Sequence, residues 1–175
     1  MAKLRPGRAY REIKQPYTRK SKYRERSFIK GVPGIKVVHF DMGEKGKSFG
    51  YKVALISQTA RLVRHNAIEA ARVAANRYLV KKLGNKGFYF KIKMYPHHVI
   101  RENPLAAGAG ADRYQTGMSH AFGKPKSSAA IIKEGKELMF VSVPEGAVDV
   151  AKEALRKAAS KMGIHYKIDI QKEAA

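Results

Sequence analysis

The sequence predicts an α+β fold in which two helices pack on a mainly antiparallel sheet, preceded by an extended basic arm. Two segments with apolar residues at helical spacing each end at a glycine, and short alternating segments surround them. Residues 1–30 show neither period. With 175 residues and 44% hydrophobic content, the chain is long enough to bury a core. We therefore expect an arm over residues 1–30, one domain over 31–172 and a short tail over 173–175.

The first half of the domain is predicted to contain two strands and a long helix. A strand over residues 35–40 follows the turn Val32-Pro33-Gly34, and a second strand covers residues 49–56. The helix spans residues 59–83, and Gly84 follows it as an end signal. The apolar face of this helix is predicted to consist of Val63, Ala67, Ala70, Ala71, Ala74 and Tyr78.

The middle of the domain is predicted as one strand followed by a long irregular segment. A clean alternation over residues 88–94 predicts the strand. Its residues on one face are Phe88, Phe90, Ile92 and Met94. Residues 96–127 are rich in glycine and alanine, and we expect a flexible loop at about 103–117. Such long insertions in a compact domain are usually functional or disordered.

The last part repeats the order of strand, helix, glycine and strand. Strands are predicted over residues 129–133 and 138–143, with a turn at Gly135 between them, and a last strand over 164–171. The second helix opens at Pro144 and ends at Gly163. Its apolar face is predicted to consist of Ala147, Ala151, Ala154, Leu155, Ala158 and Met162. The repeated order indicates either an internal duplication or the common likeness of amphipathic α+β units.

The positive charge is concentrated in the first half of the chain. The formal net charge is +22, and residues 1–30 carry +9, 31–95 carry +10, 96–127 carry +2 and 128–175 carry +1. A polyanionic partner relieves such self-repulsion, because each phosphate contact releases condensed counterions. The asymmetry therefore predicts a nucleic-acid partner for the first half.

The arm carries the residue types that bind phosphates and stack on bases. Arginine forks match phosphate oxygens, and aromatic rings stack on unpaired bases. Tyr23 and Phe28 add to the aromatic residues of the arm. The predicted nucleic-acid contacts of the arm are Arg5, Arg8, Tyr10, Arg11, Lys14, Tyr17, Arg19, Lys20, Lys22, Arg24, Arg26 and Lys30. The alternative is a disordered basic tail or a localisation signal.

The side of the first helix opposite its apolar face is also basic. Its predicted contacts are Arg61, Arg64, His65 and Arg72, although Ile68 and Leu79 share that side. A basic helix beside a sheet is suited to phosphate binding, and a solvated charged face is the alternative.

No motif indicates catalysis. The run Gly46-Lys47-Ser48 lacks the earlier glycine of a P-loop, and Gly108-Ala109-Gly110 lacks the third glycine of a dinucleotide fingerprint. The six histidines show no metal-ligand spacing, and Glu102 and Asp112 in the loop do not form a convincing acid–base pair. We expect no enzyme activity, no cofactor and no metal.

Several compartments and classes are also disfavoured. The chain has no cysteine, so disulfide scaffolds and cysteine zinc sites are excluded. It has no apolar run of the length that spans a bilayer, and its basic start lacks the apolar part of a secretory signal. We expect a cytoplasmic protein without a membrane partner.

The long loop contains a candidate binding segment of small and polar residues. Small residues allow backbones to approach closely, and Arg113 offers a phosphate contact. The candidate residues are Gly108, Gly110, Asp112, Arg113, Tyr114, Gln115, Thr116, Gly117 and Met118. An unoccupied flexible loop is the alternative.

Four stretches resemble a known family. They are Arg5-Pro6-Gly7-Arg8-Ala9-Tyr10-Arg11, Lys30-Gly31-Val32-Pro33, residues 109–118 and Ala121-Phe122-Gly123-Lys124-Pro125. The chain resembles, over nearly its whole length, the large-subunit ribosomal proteins called L10e in archaea and eukaryotes, counterparts of bacterial L16. Eukaryotic members carry cysteines and have leucine in place of Tyr114, so the cysteine-free sequence is typical of an archaeal member.

The resemblance implies an α/β-hammerhead-like domain on large-subunit rRNA, near the tRNA-binding sites and the peptidyl-transferase centre. It also implies that the arm and the basic helix face hold rRNA phosphates, that residues 108–118 face the tRNA acceptor end, and that the protein joins the subunit late. Large-subunit rRNA, the tRNA acceptor end, neighbouring ribosomal proteins and a late assembly factor are the implied partners.

Three rival functions remain. An architectural DNA-binding protein would share the charge, although the interleaved tyrosines of the arm favour RNA. An RNA-modifying enzyme would need a cofactor loop or an acid–base pair, and a membrane-surface protein would need a basic amphipathic helix with large apolar residues.

Overall fold

Eight strands and two helices follow one another in the residues that the computed structural model describes, which are 4–13, 23–26, 28–29, 31–103 and 123–172. In chain order they are β1 (Asp41–Gly43), β2 (Tyr51–Ser57), β3 (Arg61–Arg64), α1 (His65–Leu83), β4 (Tyr89–Ile92), β5 (His98–Glu102), β6 (Lys124–Ile132), β7 (Glu137–Val143), α2 (Val148–Met162) and β8 (Tyr166–Lys172). Single 3-10 turns cover Gly7–Tyr10, Arg24–Arg26 and Glu145–Ala147.

The strands form two antiparallel sheets instead of the single sheet expected. The larger sheet has the order β1-β4-β7-β2-β8, and the smaller has the order β3-β6-β5. In the larger sheet Val141 of β7 lies opposite Val53 of β2 and Phe90 of β4, and all three are fully buried. These positions form the face on which the helices pack.

The two helices complete the core and confirm the α+β class. α2 packs on β2, β7 and β8, while α1 packs against α2 and contacts β3 and β6. Every residue predicted for the apolar face of the second helix is buried, although Ala147 lies in the 3-10 turn before α2, and Ala159 is buried with them. Gly84 and Gly163 follow the two helices at φ angles of +71° and +62°, which confirms both as helix ends.

The start of α1 was predicted wrongly. Residues 61–64 form β3, because Val63 is buried and pairs with Ala130 of β6. The buried face of α1 is also rotated from the predicted one, and Ala70 is exposed. Its buried residues are His65, Ile68, Ala71, Ala75 and Leu79.

Two other segments differ from the prediction. Residues 35–40 form no strand, and β1 begins only at Asp41. Residues 96–127 are not irregular throughout, because β5 and the start of β6 pair antiparallel, with Glu102 opposite Lys124. The alternation over residues 88–94 is confirmed, since all four predicted inward residues of that segment are buried.

Candidate nucleic-acid interface

The first described part of the arm lies along β3. Its 3-10 turn over Gly7–Tyr10 follows Pro6, whose carbonyl oxygen accepts a hydrogen bond from the Ala9 N–H at 3.2 Å. Two hydrogen bonds from β3 to backbone carbonyl oxygens of the arm attach it there. The Leu62 N–H donates to the Arg11 carbonyl oxygen at 3.2 Å, and Arg64 Nη1 donates to the Arg5 carbonyl oxygen at 2.8 Å.

Tyr10 connects the arm to the end of β5. Its hydroxyl donates to Glu102 Oε1, and Glu102 Oε2 lies 3.4 Å from Lys126 Nζ. The guanidinium carbons of Arg5 and Arg64 lie 5.8 and 5.9 Å from the centre of the Tyr10 ring. Tyr10 is therefore half-buried and engaged with protein groups, while its predicted contact with nucleic acid stays a prediction.

A cleft of about 240 Å³ opens between the arm, β3 and the C-terminal end of α2. We call it the arm cleft. Its lining includes two glycines and four cationic residues, which are Gly7, Gly163, Arg8, Arg11, Arg64 and Lys161. None of the described residues lining the cleft is acidic. The fold thus brings cations from three distant parts of the chain to one concave surface.

Arg61 lies beside the arm cleft and offsets the partial negative charge at the C-terminal end of α2. The C-terminal end of α2 presents carbonyl oxygens with partial negative charge, which would repel an anion. Arg61 Nη1 donates to the Gly163 carbonyl oxygen at 3.2 Å. This bond satisfies one such oxygen and adds a fifth cation to the surface.

Arg72 does not belong to this surface. Its Nε and Nη2 atoms donate to the two carboxylate oxygens of Glu69 at 2.9 and 2.6 Å, and its Nη1 lies 3.4 Å from Met42 Sδ. The hydrogen bonds that Arg72 donates to Glu69 raise the pKa of Arg72 further above its ordinary value. Its charge is therefore already balanced inside the protein.

His65 is also placed differently from the arginines. Its ring is buried, and its Nδ1 accepts a hydrogen bond from the Lys36 N–H at 2.9 Å. Burial lowers the pKa of His65, and the charges of Lys36 and Arg64 lower it further. The residues predicted for the basic face of α1 thus have three different surroundings: Arg61 and Arg64 of β3 lie at the arm cleft, His65 is buried, and Arg72 is paired with Glu69.

Comparison with known proteins identifies the family. The model of the family described as ribosomal protein L16p/L10e matches residues 13–169. The chain belongs to the L16p/L10e family of ribosomal proteins.

Similar proteins cover nearly the whole chain. The "Large ribosomal subunit protein uL16" of Staphylothermus marinus is 47% identical over 166 residues, which are 94% of this chain and 92% of that protein. The protein of the same name from Archaeoglobus fulgidus is 43% identical, over 96% of this chain and 93% of its own length. This L16p/L10e protein is therefore a ribosomal constituent, part of a ribonucleoprotein that acts in translation.

Many predicted site residues lie outside the described part of the chain. These are Lys14, Tyr17, Arg19, Lys20, Lys22, Lys30 and the whole candidate segment 108–118. Arg26 is exposed, and its guanidinium lies 5.2 Å from the centre of the Tyr23 ring. The nucleic-acid contacts of all these residues stay predictions.

Lys161 is the functional candidate that the sequence pattern does not single out. It lies in the last turn of α2, in the near-neutral quarter of the chain, where a basic residue is usual beside the helix C-terminus. Only the packing of α2 beside β3 brings it to the arm. No local sequence pattern could have assigned Lys161 to this surface, because it lies about 150 positions away from Arg8 and Arg11 in the chain.

Two further observations concern other functions. Among the residues that the structure describes, no three metal-ligating side chains lie close enough to hold an ion. No described helix is both long enough and apolar enough to cross a membrane.

Proposed function

We propose that this L16p/L10e protein binds and organises rRNA in the large ribosomal subunit by neutralising charge, near the tRNA-binding sites and the peptidyl-transferase centre. Its relatives are named as large-subunit proteins, which makes it a component of that subunit of the cytoplasmic ribosome. rRNA and neighbouring ribosomal proteins are its partners. We further propose that it catalyses no reaction.

One observation supports rRNA binding above the others. Arginines of the arm and of β3 converge with Lys161 on the arm cleft, and none of the described lining residues is acidic. In an isolated protein this arrangement is repulsive, whereas phosphates replace the missing counter-charges. The charges lie on a docked arm, on strand β3 and at the end of helix α2, so the backbone positions that carry them are fixed relative to one another.

The salt dependence of rRNA binding tests this proposal. The logarithm of the affinity should fall with the logarithm of salt concentration by roughly 0.7–0.9 per phosphate contact. Replacing both Arg8 and Arg11 with glutamine should flatten this slope by roughly 0.7–0.9 for each phosphate contact that is lost. The matched control is Lys82→Gln, an exposed cation in the last turn of α1. An affinity for rRNA fragments that does not change with salt would contradict the proposal.

The rival DNA-binding function is tested in the same assay. Duplex DNA and structured rRNA compete for the protein at equal salt. We expect rRNA to bind more tightly, because unpaired bases and A-form geometry are absent from the DNA. Equal or tighter binding of the DNA would favour the architectural DNA-binding protein instead.

We propose a separate role for residues 108–118, which would face the tRNA acceptor end. The family resemblance of this segment supports the role. The pairing of Glu102 with Lys124 supports a division of labour, because the strands that flank the segment are held together by the domain itself. A deletion of residues 106–118 should therefore leave incorporation into subunits intact and impair translation.

A matched control replaces residues 106–118 with a glycine–serine linker of equal length. It distinguishes the effect of losing this sequence from the effect of shortening the chain. We expect this variant to incorporate normally and to translate as poorly as the deletion. Loss of incorporation in both variants would refute the division of labour. The remaining proposed partner is a late assembly factor. It should be sought among the proteins bound to large subunits that lack this chain.

A further inference from the structure

We propose that the arm cleft is a preformed seat for a phosphate group of an RNA backbone, and that an occupied seat holds the arm on the domain. This inference rests on the proposed rRNA binding. It adds the site on the protein where an RNA phosphate binds and the effect of that binding on the docking of the arm. The seat is formed by Arg8 and Arg11 of the arm, Arg64 of β3 and Lys161 of α2.

The size of the cleft suits a phosphate with part of its sugar. Its volume is about 240 Å³. Sites for drug-sized molecules are usually larger, at roughly 300–1,000 Å³, and are mostly apolar. The arm cleft is smaller and cationic, so a single charged group is the better match.

The cations of the cleft are available to an anion. In the described part of the chain no carboxylate forms an ion pair with Arg8, Arg11 or Lys161. Arg72 shows the opposite condition, with its guanidinium held by Glu69. Planar guanidinium groups bind phosphate oxygens through two parallel hydrogen bonds, so the three arginines suit this ligand better than lysines would.

Gly7 allows the guanidinium group of Arg64 to lie close to the backbone of the arm, and the guanidinium group of Arg11 lies close to Gly163. A Cβ atom at Gly7 would lie 3.3 Å from Arg64 Nη2, and one at Gly163 would lie 3.7 Å from Arg11 Nη2. The first contact is tight and the second is an ordinary van der Waals contact. The arginines thus reach across the cleft, from β3 to the arm and from the arm to α2.

Because the arm supplies one wall, the seat exists only when the arm is docked. No residue of the turn Gly7–Tyr10 is buried, so few apolar contacts hold it. An anion in the seat binds the docked form and not the undocked one, and it therefore stabilises docking by mass action. By reciprocity, weaker docking lowers the affinity for the anion.

Nuclear magnetic resonance on the full-length, ¹⁵N-labelled protein tests the seat. The probe is a 5′-phosphorylated uridine tetranucleotide, and the amide signals of Gly7 and Gly163 report on two walls. We expect both signals to shift with one common Kd, while the Gly84 signal at the far end of α1 stays in place. Arg8→Gln and Lys161→Gln should each raise that Kd about threefold to fivefold. Lys82→Gln should leave it unchanged.

Hydrogen exchange tests the link to the arm. The Leu62 N–H, which donates to the Arg11 carbonyl oxygen, should exchange more slowly when the tetranucleotide saturates the protein. Lys161→Gln should shift this protection to higher tetranucleotide concentrations, although Lys161 does not belong to the arm. Circular dichroism verifies that Arg8→Gln and Lys161→Gln, both at exposed positions, leave the fold intact.

Three outcomes would overturn the inference. Shifts of Gly84 as large as those of Gly7 and Gly163 would indicate diffuse binding without a seat. Tighter binding of inorganic pyrophosphate than of the tetranucleotide would assign the seat to a free phosphate compound. Normal, salt-dependent binding of rRNA fragments without any shift of Gly7 or Gly163 would refute the seat and leave the proposed function standing. Failure of rRNA binding itself would instead refute the proposed function.

Discussion

At the scale of single residues, the neighbours of each arginine decide what it does. Arg72 is paired by Glu69 three residues before it on the same helix, and this spacing is visible in the sequence. Arg64 instead contacts the arm, which lies about 60 positions away in the chain. The sequence predicts the basic character of both, but only the local pair could have been assigned without the structure.

Tyr10 gives a prediction about arm docking. Tyr10→Phe removes the hydroxyl that donates to Glu102 and keeps the ring beside Arg5 and Arg64. A hydrogen bond of this kind contributes about 1 kcal/mol, so exchange of the Leu62 N–H should accelerate roughly fivefold. Native-state hydrogen exchange measures the effect. Tyr95→Phe, at an exposed tyrosine away from the arm, is the control, and equal exchange in the two variants would contradict the role of Tyr10.

His65 gives a prediction about pH. Its pKa in the folded protein is lowered, first by burial, so between that value and about 6.5 the unfolded chain binds more protons. The free energy of unfolding should therefore be highest above pH 6.5 and decrease as the pH falls below it. Protonation of Nδ1 would also remove the acceptor of the Lys36 N–H.

Urea unfolding at pH 7.5 and 5.5 checks the prediction for His65. His65→Gln should reduce the difference in unfolding free energy between the two pH values. His98, whose pKa is also lowered, chiefly by burial, keeps part of the difference in this variant. His97→Gln serves as the control at an exposed ring that stacks on Tyr95. A pH difference as large in His65→Gln as in the unmodified protein would disprove the assignment.

At the scale of elements, local patterns predict α2 and β4 well and fail at the start of α1. The apolar spacing in α2 continues from end to end, and its buried face is the predicted one with Ala159 added. The run Arg61-Leu62-Val63-Arg64 fits the helical spacing of the residues after it, yet it pairs with β6. Strand pairing between distant segments leaves no mark in a local window, so the helix period alone extended α1 too far.

The same reason explains the missed β5 and the early part of β6. His98–Glu102 and Lys124–Ile132 are separated by the long Gly- and Ala-rich segment, and neither alternates clearly. Their pairing also contains a register irregularity between Ile100 and Arg101. Only the tertiary arrangement stabilises these strands, which is why composition indicated an irregular segment.

Gly43 gives a prediction about the close backbone contact where β1 pairs with β4. It has a φ angle of +84°, and a Cβ atom there would collide with the carbonyl oxygen of Phe88. That oxygen accepts a hydrogen bond from the Glu44 N–H at 3.0 Å. Gly43→Ala should therefore lower the free energy of unfolding by the strain of its backbone angle and by at least about 1 kcal/mol for the displaced hydrogen bond.

Gly46→Ala is the matched control for Gly43→Ala. Gly46 has a similar φ angle of +94°, but no atom lies within 4 Å of its Cβ position. Both variants share the backbone strain, and the difference between them isolates the collision. Equal unfolding free energies in urea for the two variants would show that Phe88 does not restrict this position.

At the scale of the whole molecule, the charge asymmetry predicts the partner but not the geometry of the interface. The basic first half provides Arg8, Arg11 and Arg64, as the charge distribution indicates. Lys161 of the near-neutral last quarter completes the arm cleft. Net charge is a sum over sequence, whereas a binding surface depends on which elements pack together, so the fourth cation could not be predicted.

The backbone contact between the arm and β3 has one more consequence. β3 is one of the two edge strands of the smaller sheet, and the Leu62 N–H of this strand donates to the Arg11 carbonyl oxygen. An uncovered edge strand pairs readily with other chains. A variant lacking residues 1–13 should therefore self-associate in light scattering, while the full chain with Arg5, Arg8 and Arg11 changed to glutamine stays monomeric. This result would give the arm a second role, to shield the unassembled protein from aggregation, apart from any contact with RNA.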